Sequence, residues 1–286
     1  MRILIIDRDP LAIKLMSSKL GQAGHEVVHD DNKQRAIKLA AEQYFDCIFI
    51  DPTPLTDVRP VVLEIWRGLK KDQHRPYVVL LSKEAEREAA IGRGCNDILL
   101  KPLDARALET VTGNAARLNH YYDVFHLDVG NYFPESAIGV LGQKAFEQLF
   151  LASVDRGFRY GERNCVMFIR VSNFDEILKS GGEKAAKEAL DRLGEKISWI
   201  RRQSDVVGHI CPDTFGILMQ RPIYETEVYD AFSRFQEKTK EFVATLPEQY
   251  RPAVHLSVVE LPYGALLCDD GDTRFSKLEK EQEAGA

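Results

Sequence analysis

Five short apolar runs, separated by stretches of helical periodicity, fill residues 1–118 and leave that half of the chain few folds to choose from. The runs are Ile3–Ile6, Val27–Val28, Cys47–Ile50, Tyr77–Leu81 and Ile98–Leu100. The first stretch between them puts Ile13, Met16 and Leu20 on one helical face, with Asp9 as N-cap and Pro10 at the first helical position. Five β–α alternations predict an α/β fold, a doubly wound five-stranded parallel sheet. Such sheets gather functional residues at the C-terminal ends of their strands. Those ends carry Asp7, Asp51, Ser82 and Lys101. Two carboxylates, a hydroxyl and an ammonium in one crevice suit a divalent cation and a phosphoryl group.

In RILIIDRDP, FDCIFIDPTPLTD, YVVLLSKE and GCNDILLKPL, the order and spacing of these four residues resemble the receiver domain of two-component signalling, over residues 1–119. The resemblance implies a flavodoxin-like fold with Asp51 as phosphoacceptor. It makes Ser82 the hydroxyl that senses the phosphoryl group, and Lys101 the ion-pair partner, ahead of a cis bond to Pro102. It also implies Mg²⁺ at Asp7 and Asp51. Receivers carry two adjacent acidic residues after the first strand, the second a metal ligand; here that second position is Arg8. A guanidinium cannot ligate Mg²⁺, so Arg8 opposes the metal. Two arrangements stay open. Either Arg8 folds onto Asp51 and locks the receiver, or it points to solvent while Asp9 supplies the missing ligand. Ile98 stands where the relay aromatic belongs, and Pro52 and Pro54 follow the phosphoacceptor, Pro52 without an N–H. Together these departures predict a weakened switch.

Residues 104–118 read as the last receiver helix. A linker over 120–134 follows, rich in aromatics rather than Gly or Ser, which predicts packing rather than a loose tether. Charge then changes sign: residues 1–120 carry a net +1 and the remainder −7. An acidic second half argues against a DNA-binding output. Five scattered cysteines without a CxxC pair suggest reduced thiols in a cytoplasmic protein. No apolar run approaches the roughly 20 residues of a membrane span. The opening MRILIIDRDP, charged directly after a short strand, lacks the pattern of a signal peptide.

From residue 135 to 268 the pattern is α+β with a mixed sheet. A helix over about 142–160 leads to the strand NCVMFIRVS, then a helix with Ala186, Leu190, Leu193, Ile197 and Ile200 on one face. The hairpin DVVGHICPDTFGILMQ, a helix near 224–245 and the strand VHLSVVEL follow, with a polar tail at 269–286. The segments ESAIGVLGQKAFEQLF, FIRVSNFDEI and SDVVGHICPDTFGIL resemble a GGDEF (diguanylate cyclase) domain, keeping Gly139, Phe146 and Phe215.

The resemblance extends to the frame and departs from the chemistry. Joining two GTP molecules needs carboxylates to hold metal and a glycine turn to cradle phosphate. The strand carboxylates are replaced by Arg170 and Ser172, and the turn glycines by Cys211 and Pro212. Of the acidic pair Asp213 survives beside Thr214, and the guanine-reading positions hold Leu178 and Lys187. These changes predict a domain without cyclase activity. The RxxD site that binds cyclic di-GMP in many cyclases is matched by Arg202 and Asp205, with Arg234 as a second arginine. The expected protein is therefore a non-enzymatic signalling regulator. Its expected partners are other signalling proteins, a sensor histidine kinase among them, and the ligand cyclic di-GMP, with homodimerisation and no DNA. The alternatives are a phosphorylation-driven regulator with a purely protein-binding output, and an active cyclase.

Overall fold

The five predicted runs become five parallel strands: β1 (Arg2–Ile6), β2 (Glu26–Asp30), β3 (Cys47–Ile50), β4 (Tyr77–Ser82) and β5 (Asp97–Leu100). The structure is a computed structural model that describes residues 1–53, 57–69, 75–84, 87–125, 139–220, 222, 225–248 and 251–271. Two units are distinguished. One comprises Met1–Tyr122, Arg156–Gly161 and Pro262–Gly264; the other comprises Asp123–Asp155, Glu162–Leu261 and Ala265–Ala286. Pro54, residues 126–134 of the expected linker and most of the polar tail lie outside the described residues.

The first sheet has the order β2-β1-β3-β4-β5, all parallel. The helices α1 (Pro10–Gln22), α2 (Lys33–Glu42), α3 (Arg59–Gly68), α4 (Arg87–Gly92) and α5 (Ala105–Val124) alternate with its strands. Helices on both faces bury β3 end to end, as they do Ile3–Ile6 and Tyr77–Leu81, which is why those segments read as continuous apolar runs rather than alternating ones. One core joins Leu4, Ile6, Ile48, Ile50, Val78 and Leu80 to Val62 and Ile65 of α3. The Asp9 carboxylate caps α1, accepting from Leu11 N and Ala12 N. The peptide bond before Pro102 is cis.

The last helix is longer than expected. It runs to Val124 rather than stopping at residue 118, and takes in the start of the supposed linker. Tyr121, Tyr122, Val124 and Phe125 are buried, and Phe125 packs against Phe146 and Phe150 at ring-centroid distances of 6.2 and 5.2 Å. Aromatic residues at helical spacing extend a helix where Gly or Ser would have ended it.

The second sheet is mixed, with the order β11-β10-β7-β9-β8-β6. Its strands are β6 (Val140–Leu141), β7 (Asn164–Val171), β8 (Val206–Cys211), β9 (Thr214–Gln220), β10 (Val254–Leu261) and β11 (Ala265–Asp269). The helices are α6 (Gln143–Tyr160), α7 (Phe174–Ile200) and α8 (Glu225–Ala244). Helix α7 is interrupted at Gly182, whose φ of 72° is left-handed. The predicted face of α7 is buried against Met167, Ile169, Phe215, Ile217 and Val258. Two strands were not foreseen. The segment β6 is two residues long, and β11 follows a tight turn in a stretch read as the approach to the tail. Among the described residues no helix is long and apolar enough to cross a membrane.

Strand β7 is central, paired antiparallel with both β9 and β10. The β8–β9 hairpin pairs Gly208 with Gly216. A Cβ at Gly208 would lie 2.4 Å from the Phe146 ring, and one at Gly216 would lie 2.6 Å from Ile210. The glycines let a fully buried phenylalanine lie directly on the hairpin backbone.

Candidate functional site

Two places bring together the side chains singled out in the sequence. In the first unit the adjoining carboxyl ends of β1, β3, β4 and β5 collect Asp7, Asp51, Ser82 and Lys101. The Lys101 Nζ lies 2.5 Å from Asp51 Oδ2 and 2.8 Å from Asp7 Oδ2. Asp7 is buried; its Oδ1 accepts from the backbone N–H groups of Arg8 and Asp9, at 2.7 and 3.0 Å. Asp51 Oδ1 accepts from Thr53 N at 2.8 Å. Burial pushes the Asp51 carboxyl up, and the hydrogen bonds from Lys101 and Thr53 outweigh it, so its pKa lies below the ordinary value. For Lys101 burial lowers the pKa, and the two carboxylates more than reverse that. The Ser82 hydroxyl donates to Glu84 O at 3.1 Å.

Arg8 does not form the locking pair with Asp51. Its side chain is exposed and its Nε reaches Asp31 O at 3.4 Å. The reason is local: Asp7 holds the N–H groups of the two residues after it, and the turn so formed carries the Arg8 side chain outward. The Asp9 carboxylate is engaged through Oδ1 in the α1 cap. Among the described residues no three His, Cys, Asp or Glu side chains are grouped to hold a metal ion.

A hard cation nevertheless fits the donors by type. The buried Asp7 Oδ2 meets the Lys101 ammonium and makes no further hydrogen bond, and Asp51 and the Thr53 carbonyl are further oxygen donors on the adjoining loop. Sequence reasoning passed over Lys33, whose ammonium donates to that same carbonyl. The available signal was a lysine opening a helix, at the end where a cation opposes the helix dipole.

The second place is the β8–β9 turn. Register places Arg170 opposite Thr214, and Cys211 opposite Thr214 across the two-residue turn Pro212–Asp213. Arg170 Nε donates to Asp213 Oδ2 at 3.1 Å. The other oxygen, Oδ1, accepts from Thr214 Oγ1 at 2.8 Å and from Cys211 Sγ at 3.1 Å. Burial raises the Asp213 pKa, but the donors Cys211, Thr214 and Arg170 together hold it below the ordinary carboxylate range. Burial pushes the Cys211 thiol up to about 12, so it stays protonated and acts as a donor. Beneath the turn His209 is buried and stacks on Phe215, ring centroids 4.6 Å apart. Burial lowers its pKa to about 4. The turn is thus tied down from both sides by the chain's own groups.

Of the remaining positions, Ser172 binds the Ala253 carbonyl through its N–H and hydroxyl. Leu178 packs against the core, and Lys187 is half-buried on α7. Arg202 and Asp205 close a turn, with Asp205 Oδ2 accepting from Arg202 N at 3.0 Å. The Arg202 guanidinium is half-exposed and lies 3.5 Å from Glu227. Burial raises the Asp205 pKa, opposed by Arg202 and Arg234. The Nε and Nη2 of Arg234 are buried without a hydrogen-bond partner.

Comparison with known proteins agrees with this layout. The family described as "Response regulator receiver domain" matches residues 3–112, and the family described as "Diguanylate cyclase, GGDEF domain" matches residues 138–282. Among curated proteins of Pseudomonas aeruginosa, Protein PilH is 28% identical over 114 residues, which cover 37% of this chain and 90% of PilH. Cyclic di-GMP phosphodiesterase NbdA is 27% identical over 110 residues, covering 38% of this chain. The matched stretch spans only 14% of the length of NbdA. The solved GGDEF domain of YfiN (TpbB), from the same organism, is 17% identical with a TM-score of 0.38, over 44% of this chain and 79% of that one.

Proposed function

Because the chain belongs to the GGDEF family and carries a response regulator receiver domain ahead of it, we propose that it is a response regulator whose cyclase-type output domain works by binding rather than by catalysis. One observation carries this reading: Asp213, the carboxylate that survives in the hairpin, is paired with the arginine that stands in place of the strand's metal ligand. A guanidinium there repels the divalent ions that bridge nucleotide phosphates. The turn beside it offers a proline with no N–H and a cysteine side chain where phosphate would need bare backbone. Cys211 and Thr214 hold that turn from within.

The ligand side of the reading is cyclic di-GMP at Arg202, Asp205 and Arg234. The support is the Arg234 guanidinium, whose Nε and Nη2 are buried without a hydrogen-bond partner while it lies close enough to Asp205 to affect its ionisation. A phosphate oxygen is a fitting acceptor for it. Calorimetric titration tests the proposal. Cyclic di-GMP should give saturable heat that falls at least tenfold in affinity with Arg202→Ala, and Mg²⁺–GTP should give none. Uptake of Mg²⁺–GTP, or no heat with cyclic di-GMP, overturns the corresponding half.

In the receiver, Asp51 is read as the acceptor of a phosphoryl group from a sensor kinase. Its ionised carboxylate is the nucleophile, and the Lys101 ammonium steadies the charge gained at the acceptor. A divalent cation held by Asp7, Asp51 and the Thr53 carbonyl would offset the charge of the incoming group. The outward Arg8 favours a receiver open to phosphorylation over a locked one.

A further inference from the structure

Helix α2 opens on Lys33, behind Asn32 as N-cap and with no acidic residue in its first turn. A cation at that end opposes the helix dipole, so something else must hold it there. The side chain is half-buried, and its ammonium donates to the carbonyl of Thr53, two residues after Asp51. Burial lowers its pKa and Arg8 lowers it further, while Asp51 and Asp7 pull it back up. A lysine that is partly dehydrated, set against a helix dipole and beside a second cation, is retained by one carbonyl and two carboxylates. With Lys101 counted, Asp7 and Asp51 lie in the field of two ammonium groups of the chain itself.

We propose that Lys33 is a tethered counter-cation of the receiver crevice, competing with a divalent ion for the Thr53 carbonyl and the field of Asp7 and Asp51. Arg8 has the charge for that role and the wrong direction, whereas Lys33 has both. A divalent ion entering the crevice must push the ammonium off the carbonyl or bind beside it, and either lowers affinity. Metal then binds tightly only when Lys33 swings out, which couples metal loading to the position of one side chain at the start of α2. The regulatory meaning rests on the reading of Asp51 as phosphoacceptor; the competition itself does not.

Magnesium chloride titrated calorimetrically into the full chain, near neutral pH, tests this with Lys33→Met, Lys33→Gln and Lys33→Arg. Thermal melts confirm that each variant folds. Both neutral variants should bind Mg²⁺ at least about tenfold more tightly than the parent. That is the effect expected for a unit charge roughly 6 Å from a divalent ion even at the dielectric constant of water. Lys33→Arg should stay as weak as the parent. Equal affinity in the parent and Lys33→Met, absence of Mg²⁺ binding in every variant, or a Lys33→Gln that behaves like the parent overturns the proposal. The glutamine keeps a donor for Thr53 and removes only the charge. Labelling by a small phosphodonor at saturating Mg²⁺ is read separately. If Asp51 stays unlabelled throughout while the affinities separate as expected, the phosphoacceptor reading fails and the competition stands.

Discussion

Arg170 and Asp213 meet from a strand and a turn, half-shielded from water, at 3.1 Å. A charge-assisted hydrogen bond of this kind contributes about 1–2 kcal/mol, and a double-mutant cycle isolates it. Arg170→Ala, Asp213→Ala and the double variant, compared by chemical denaturation, should show coupling of that size. Because the folded pKa of Asp213 is depressed, the coupling is present above the unfolded carboxyl value of about 4 and fades as pH falls through the folded one. A cycle that closes to zero at neutral pH would remove the pair as a structural element. His209 makes a second prediction with the same sign. Its folded pKa of about 4 lies below the ordinary imidazole value of 6.5, so stability is full above pH 6.5 and declines toward pH 4. The decline is about 3 kcal/mol in all. His209→Gln keeps a polar side chain there without the titration, and its stability should fall less steeply across that interval. Parallel curves for the two proteins would show that His209 is not the group involved.

At the scale of elements, the β8–β9 hairpin depends on close approach. With a Cβ at Gly216 placed 2.6 Å from Ile210 and 2.7 Å from Phe146, Gly216→Ala must shift a buried ring or the strand. Overpacking of this sort costs about 1–3 kcal/mol, and the loss should appear as a lower urea midpoint with an unchanged m-value. Stability equal to the parent would mean that Phe146 is free to move, which its complete burial argues against. This element also marks what could be read from sequence. The alternation of β8 and β9 about Pro212–Asp213 was legible because both strands carry apolar runs long enough to show a pattern. Strand β6 was not, since two residues have no period, and β11 was missed because its half-buried residues follow a turn in a polar context. Helix α5 outran its expected end because burial of Tyr121, Tyr122 and Phe125 favours continuing the helix. At the first site Asp7, Asp51, Ser82 and Lys101 were legible because strand ends in a parallel sheet must adjoin. The direction of Arg8 was not, because it is set by which N–H groups Asp7 accepts, a matter of three-dimensional turn geometry. Lys33 lies far from that cluster in sequence, on a helix whose start reaches the loop after Asp51 only in the folded sheet.

For the whole molecule, a receiver followed by a GGDEF-type domain is the layout of a response regulator with a cyclase-type output. The proposal keeps the first part of that layout in working order and alters the second. If so, Asp51 should be labelled by a small phosphodonor in the presence of Mg²⁺, adding one phosphoryl group by intact-protein mass spectrometry, and Asp51→Asn should take none. Equal labelling of the asparagine variant would place the acceptor elsewhere. The most direct test of the central claim, that the chain's own arginine holds the hairpin carboxylate in place of metal, is to follow GTP by ³¹P NMR in the presence of Mg²⁺ and the purified full chain. Unchanged triphosphate resonances are the predicted result. Release of pyrophosphate with a growing phosphodiester signal would contradict it.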